Sequence, residues 1–418
     1  MSEVRLLADA PWLTSGPAGR VLALLNGEGE EARVVGGAVR NALLQIPIGD
    51  IDIATTAPPE EVVRRARAAG IKSVPTGIEH GTVTLVIDGH PFEVTTLRED
   101  TETYGRKAKV AFGRDWVRDA NRRDFTVNGL SVDAGHVVHD HVGGLADIAA
   151  KRVRFIGDPH QRIAEDYLRI LRFFRFHAAY GAGEPDRAGY LACIAGRAGL
   201  ANLSAERIRM EMLKLVVADG AAVAVAAMAD GGLLLPIFGG VTYTGPFAAM
   251  VAAEQVLGLK PGAVRRLGAL AVAVTEDAKR VAARLRLSNA ETKALDSMGH
   301  RWWRLAGRDE ASAKRLLYRI GEQPYLDRLM LAWARDGARH DMAFWRELAT
   351  LPQRWSAPKF PLKAADFIAR GIAEGPALGH VLTLAEDAWL AEDFPDDRSA
   401  LMEIADRSAA RFARDHRL

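Results

Sequence analysis

The chain has 418 residues, too many for one ordinary domain, so two to four are expected. Hydrophobic residues make up 49% and charged residues 26%, the balance of a water-soluble globular protein. No apolar run is long enough to span a bilayer and no charged-then-apolar leader opens the sequence. The net charge of +2 says little by itself, and residues 407–418 mix their arginines with Asp415, so no strongly basic tail is evident. The single cysteine, Cys193, excludes an internal disulfide framework and fits a reducing, cytoplasmic setting.

Residues 1–140 alternate short apolar runs with Gly-rich turns and helical stretches, the pattern of a mixed sheet with helices. Val34-Val35 reads as a strand end, and Gly36-Gly37 turns the chain into a helix over residues 38–44. A strand follows over residues 51–55, then a helix over 58–69 with Pro at its start and Gly70 at its close. Two alternating runs, residues 82–87 and 91–97, flank Asp88-Gly89, a strong hairpin signal. The polar, Gly-containing stretch 99–119 has few large apolar residues and reads as a mobile loop. Phe125 and Val127 then anchor the charged segment Arg122-Arg123-Asp124-Phe125-Thr126-Val127-Asn128. His136, His139 and His141 have no Cys nearby, so a polar strand or turn is favoured over a zinc site.

From about residue 158 strand signals fade, and Ala, Leu and Arg at helical spacing take over. Gly- and Pro-rich breaks at residues 181–185, 231–236 and 258–262 separate helical groups. No repeat of fixed period stands out. The tandem Trp302-Trp303 reads as buried core rather than a stacking surface. The expected division is a head over 1–140, a helical neck over 141–230, and a helical body and tail over 231–418.

Three groups of residues carry chemistry. In Asp50-Ile51-Asp52, carboxylates at i and i+2 of a strand share one face. They repel unless a cation lies between them, and hard oxygen ligands suit Mg²⁺; a solvated strand end is the alternative. Glu93 lies on the second hairpin strand, opposite in facing to Phe92 and Val94. Facing Asp50 and Asp52 it would complete a two-metal site, and otherwise it is an ordinary exposed strand residue. Gly36-Gly37 followed by Arg40 supplies close backbone approach, free helix-terminal N–H groups and a cation, the parts of a phosphate cradle.

The third group lies in residues 165–175, which read as one continuous helix. Asp166, Arg169, Arg172 and Arg175 spread over one side of it. A carboxylate only accepts hydrogen bonds and a guanidinium only donates. Asp166 with Arg169 therefore matches cytosine and adenine, which present an amino donor beside a ring-nitrogen acceptor. Guanine and uracil present the reverse order. The alternative is a plain (i, i+3) surface salt bridge.

Five blocks in this order resemble the class II CCA-adding tRNA nucleotidyltransferases, a family that includes the bacterial poly(A) polymerases. They are Val35-Gly36-Gly37-Ala38-Val39-Arg40, Asp50-Ile51-Asp52, Glu93-Val94-Thr95-Thr96-Leu97-Arg98, Arg122 through Asn128, and Glu165-Asp166 through Arg175. Leu203-Ser204-Ala205-Glu206-Arg207-Ile208 resembles a further helical motif of the neck. The resemblance implies an α+β fold: a polymerase-β-like head, then an all-helical neck, body and tail. It implies Asp50 and Asp52 as Mg²⁺ ligands, with Glu93 as the third catalytic carboxylate. Nucleotide-binding positions are Gly36, Gly37, Arg40, Arg123, Asp124, Asp166, Arg169, Arg172 and Arg175. Three departures stand out: Asn41 where the family usually has Asp, Gln45 where it often has Gly, and Gly129 where it often has Ala.

The expected reaction is in-line attack of an RNA 3′-hydroxyl on the α-phosphate of CTP or ATP with release of pyrophosphate. Side chains rather than a template select the base. The expected partners are the 3′ end of tRNA with CTP and ATP, without a membrane or an obligate protein partner. The alternatives are a poly(A) polymerase, an enzyme adding only CC or only A, and a non-catalytic RNA-binding protein of the same fold.

Overall fold

The computed structural model describes residue 7 and residues 10–104, 107–305, 309–337 and 341–415. Its strands are β1 (Ala32–Val35), β2 (Asp52–Thr55), β3 (Lys72–Gly77), β4 (Thr82–Ile87), β5 (His90–Thr96), β6 (Arg98–Tyr104), β7 (Lys107–Phe112), β8 (Leu130–Val132) and β9 (Val138–Asp140). Seven of them form one mixed sheet in the order β3-β4-β5-β2-β1-β8-β9. Only the β2–β5 pair is parallel.

The β4–β5 hairpin turns at Asp88 and Gly89, with φ of 51° and 80°. Two positive φ values in succession are what a type I′ turn demands, and its twist matches that of the flanking strands. Val83, Leu85 and Ile87 alternate inward and meet Phe92 and Val94, all buried. The helices Pro17–Leu25 and Pro59–Ala68 pack on each other and bury Val21, Leu22, Leu25, Val62 and Ala66. Each fully buried Val or Leu contributes about 1.5–3 kcal/mol.

Residues 99–119 are not a loop. β6 and β7 pair antiparallel as a separate two-stranded ribbon, from Arg98 opposite Phe112 to Tyr104 opposite Lys107, and the helix Trp116–Asn121 follows. Residues 105 and 106 lie outside the described residues. Residues 98–103 are all polar or charged, so β6 lacks the period-2 apolar pattern that marks a strand in sequence.

The helix expected over 165–175 is also interrupted. One helix, Pro159–Glu165, ends just before Asp166, whose backbone is extended at φ −156°, ψ 108°. A second helix begins at Leu168 and runs to Tyr180. Asp166 accepts a hydrogen bond from the Leu168 backbone N–H at 3.1 Å, capping the new helix with its own side chain. The second helix packs against Ala205–Val216 and Ala221–Asp230. Its Phe173 and Phe176 join Phe125 and Phe155 in a ring cluster with centroids 4.9–6.3 Å apart. That cluster anchors the Arg122–Asn128 segment through Phe125, as the sequence suggested.

The chain forms two compact units, Met1–Thr244 with Ala283–Arg286, and Gly245–Ala282 with Leu287–Leu418. The second is helical throughout its described residues. One core gathers around Tyr325, Leu329, Trp345 and Leu351, another around Phe367, Trp389 and Ile404. A buried charge network accompanies them. Glu254 accepts from Arg265 at 2.8 Å and Arg266 at 2.6 Å, and Arg265 reaches Asp327 at 3.0 Å. Trp302 packs on the first core and donates to the Ala273 carbonyl at 2.8 Å, but Trp303 is 48% exposed. The tandem tryptophans are therefore core only in their first member.

Candidate active site

A cleft of about 610 Å³ in the first unit is lined by Gly36, Gly37, Arg40, Asp50, Asp52, Arg123, Asp124, Asp166, Arg169, Arg172 and Arg175. Eleven of the twelve residues that the sequence singled out thus converge on one space. The twelfth, Glu93, lies beside it in a smaller cleft that shares Asp52 and Arg123. The parallel β2–β5 register makes Asp52 and Glu93 direct neighbours, and cross-strand neighbours share a face of the sheet.

The carboxylates crowd each other. Burial, together with the negative charges of Glu93 and Asp50, pushes the Asp52 carboxyl above its ordinary range against the pull of Arg123. Such a donor set fits a hard dication, which offsets the repulsion. Among the described residues no three acidic, histidine or cysteine groups converge as a preformed cage.

Gly36 makes the cradle possible for two reasons. Its φ is 70°, which side-chain-bearing residues rarely adopt, and a Cβ there would lie 3.0 Å from Arg123 Nη1. Arg40, buried on the helix Gly37–Leu43, is less available than its spacing suggested. Its Nε and Nη2 donate to Asn41 Oδ1, its Nη1 to Asn128 Oδ1, and its Nη2 also to Tyr180 Oη at 2.9 Å. One of the five guanidinium N–H groups, on Nη1, is left to face the cleft. The Tyr180 ring lies 4.0 Å beneath the guanidinium carbon, so Arg40 also ties the helix Gly37–Leu43 to the helix Leu168–Tyr180.

Departures from the family pattern have local reasons. Asn41 serves where Asp is usual because its carbonyl oxygen accepts from Arg40 while its amide donates to the Pro47 carbonyl at 2.9 Å. Gln45 adopts φ 58°, a conformation that favours the more usual Gly. At Gly129 a Cβ would approach Val142 to 2.6 Å, so the more usual Ala does not fit without a shift.

Asp119 was not singled out by the sequence reading, yet it organises the arginine pair. It is buried, accepts from Arg122 at 2.7 Å and from Arg123 at 3.2 and 3.3 Å. Burial works to raise its carboxyl, but the charges of Arg123 and Arg122 outweigh this and hold it below the ordinary range. Asp124 plays a similar part for the helix Leu168–Tyr180. It accepts from Arg172 Nε at 2.7 Å and from Asn128 at 3.0 Å, and Arg172 with its hydrogen-bonding neighbours holds it low against burial. Arg175 donates to the buried Glu211 at 2.5 Å.

Asp166 and Arg169 do not pair with each other. Asp166 Oδ2 accepts from Arg207 at 2.6 Å, and Arg207 holds the carboxyl below its ordinary range although burial opposes this. Arg169 Nη1 donates to Glu165 at 2.5 Å and to the Arg162 carbonyl at 2.7 Å. The surface salt bridge weighed as an alternative is therefore absent, and separate partners fix the two groups toward one cleft. Asp119, Glu165, Arg207 and Glu211 were missed as site residues. Arg207 carried a signal by its place in the Leu203–Ile208 motif, and Glu165 by opening the block that runs to Arg175.

Residues 32–154 match the poly A polymerase head domain, and residues 192–243 match the probable RNA and SrmB-binding site of polymerase A. The chain is 32% identical over 384 residues to the mitochondrial CCA tRNA nucleotidyltransferase 1 of Mus musculus, covering 90% of this chain and 86% of that protein. The chain belongs to the class II CCA-adding tRNA nucleotidyltransferase and bacterial poly(A) polymerase family. A second relative in it, the CCA-adding enzyme of Limosilactobacillus fermentum, is 32% identical over 400 residues, 93% of this chain and 96% of that one. The crystal structure of the Bacillus stearothermophilus CCA-adding enzyme in complex with CTP aligns with a TM-score of 0.71 at 26% identity, over 94% of this chain and 97% of that chain. The family's nucleotidyltransferase fold is thus present over nearly the full length. No helix among the described residues is long and apolar enough to cross a membrane.

Proposed function

We propose that this chain adds C, C and A to the 3′ end of tRNA from CTP and ATP, without a nucleic-acid template. The observation that carries this reading is the placement of Asp166 and Arg169. They line the same cleft as Asp50 and Asp52, yet each is anchored by a different partner. Anchored in this way, the pair stays open to a base. The Asp166 carboxylate accepts from the exocyclic amine of cytosine or adenine while Arg169 donates to the neighbouring ring nitrogen. Guanine and uracil would set a carbonyl against the carboxylate and an N–H against the guanidinium.

Arg123 and the remaining N–H of Arg40 would hold triphosphate oxygens, with Gly36 and Gly37 letting the chain approach. Asp124, through Arg172, would keep the neck helix in place beneath the nucleotide. Mg²⁺ held by Asp50 and Asp52 would supply activation of the 3′-hydroxyl and neutralisation of charge on the phosphates. Glu93, neighbour to Asp52 in the sheet, adds the third carboxylate to that face. The domain reading is a catalytic head over 1–140, a base-recognising neck over 141–230, and an RNA-holding body and tail over 231–418. The single, buried Cys193 supports a reducing, cytoplasmic setting.

The test uses purified protein, Mg²⁺ and three RNAs: tRNA lacking CCA, tRNA ending in C-C, and an unstructured oligonucleotide. Each receives one labelled nucleotide at a time, with products read at single-nucleotide resolution. Two C additions, one A addition and a stop, on tRNA alone, are expected. Long A tails on every 3′ end would make the protein a poly(A) polymerase and overturn the tRNA assignment.

A further inference from the structure

The second unit contains a cavity of about 200 Å³ lined by His300, Arg301, Arg304, Ser312, Arg319 and Arg328. A second cavity of about 380 Å³ adjoins it through Ser312, Leu316 and Arg319. Four arginines on so small a space call for counter-charge, and the protein supplies little. Arg301 and Arg304 form no ion pair among the described residues. Arg319 pairs with Asp387 at 2.5 Å, but both side chains are more than half exposed, where such a pair is weak. Arg328 is 7% exposed; its Nη2 donates to Ser297 at 3.0 Å, while its Nε has no partner among the described residues. A buried guanidinium N–H without an acceptor is costly unless a ligand satisfies it.

The backbone turns these groups inward. Arg301 adopts φ 53°, a left-handed conformation strained for an arginine. It caps the 3-10 turn Trp302–Arg304. Residues three apart in such a turn lie over one another, which brings Arg301 and Arg304 to the same cavity. Trp302 pins the turn to the core, and Trp303, between Trp302 and Arg304 in sequence, is 48% exposed. Guanidinium groups converging on a cavity suit a phosphate, and an exposed indole adjacent in sequence to one of them suits stacking on a base.

We propose that this pocket binds a backbone phosphate of the RNA substrate, with Trp303 stacked on the adjoining nucleotide. The proposal rests on the reading of the chain as a tRNA nucleotidyltransferase. The phosphoryl group meets Arg301, Arg304 and the orphaned Arg328 Nε, and it belongs to the RNA rather than to a free anion because the exposed Trp303, next to Arg304 in sequence, offers a ring for a neighbouring base. The site binds RNA and takes no part in the transfer chemistry.

The test compares the full-length protein with Arg301→Ala/Arg304→Ala and with Trp303→Ala, all at exposed positions. The dissociation constant for tRNA lacking CCA is measured by filter binding across a range of salt, and steady-state kinetics are run in parallel. The double variant is expected to bind tRNA roughly tenfold more weakly and to lose about one unit of log–log salt slope per phosphate contact removed. Trp303→Ala weakens binding with its salt slope unchanged. In all variants kcat at saturating tRNA and KM for CTP stay as in the wild type. Unchanged tRNA affinity and salt slope in the double variant overturn the proposal. So does a calorimetric signal for inorganic phosphate that the double variant abolishes while tRNA affinity stays intact, since the pocket would then serve a free anion. Wild-type protein that binds tRNA through this pocket but extends no RNA would refute the functional reading and leave the pocket standing.

Discussion

Removing Arg207 tests the base-reading geometry most directly. Arg207 touches Asp166 at 2.6 Å, with side-chain exposures of 24% and 34%. A hydrogen bond to a charged group contributes about 1.5–3 kcal/mol, and partial solvent access argues for the lower end, about 1.5 kcal/mol. In Arg207→Ala the carboxylate loses its outer anchor and is free to swing toward Arg169, its neighbour three residues on. The two groups would then satisfy each other and withdraw from the base edge. The expected cost is roughly tenfold in kcat/KM for CTP and for ATP, since about 1.4 kcal/mol is a factor of ten. Discrimination against UTP and GTP should fall by a similar factor. The assay is single-turnover addition of each of the four nucleotides to tRNA lacking CCA, with thermal melting to check that the fold persists. If Arg207→Ala keeps wild-type kcat/KM and the wild-type ratio of C to U incorporation, Arg207 does not set the orientation of Asp166.

Further outcomes follow from the same structure. Asp52→Ala should reduce nucleotide transfer by about 10³-fold or more with little change in melting temperature; surviving activity would show that the metal assignment is wrong. Glu254→Ala should destabilise the second unit by about 3–5 kcal/mol, because it leaves Arg265 and Arg266 buried without their shared carboxylate. Denaturant unfolding that shows less than about 1 kcal/mol would mean that water or Asp327 compensates. The buried Asp147 is held below the ordinary carboxylate range by Thr126, Arg152 and Arg154 although burial opposes this. Its folded pKa is therefore the lower one, so its stabilisation is complete above the unfolded value of about 4 and is lost as pH falls through the folded value. Asp147→Asn should flatten the acid limb of a stability-against-pH curve, and an acid limb identical to wild type would exclude Asp147 as a contributor.

Much of the site was legible because its parts are local. The Gly36-Gly37 turn and the Asp88-Gly89 hairpin each state their geometry within a few residues, where backbone sterics suffice. The strand expected to carry both Asp50 and Asp52 begins only at Asp52, so Asp50 reaches the cleft from the segment before it and not by strand alternation. The ribbon over β6 and β7 escaped notice because residues 98–103 are polar or charged throughout and carry no apolar alternation. The break at Asp166 escaped for a different reason. Helical spacing continues through it, and only the side-chain cap on Leu168 shows that the helix restarts.

By itself the sequence determined which residue types are available to the chemistry, and in what order along the chain. It also determined the helices and strands whose periodicity follows from burying one face. Tertiary structure alone decided who meets whom. The parallel pairing of β2 with β5 sets Glu93 beside Asp52. The packing of the helix Ala205–Val216 on Leu168–Tyr180 brings Arg207 to Asp166, and the same packing brings Arg175 to Glu211. Charged groups carry no periodicity of their own, and a carboxylate accepts from whichever guanidinium the folded backbone delivers, so these pairings exist only once the apolar faces have packed.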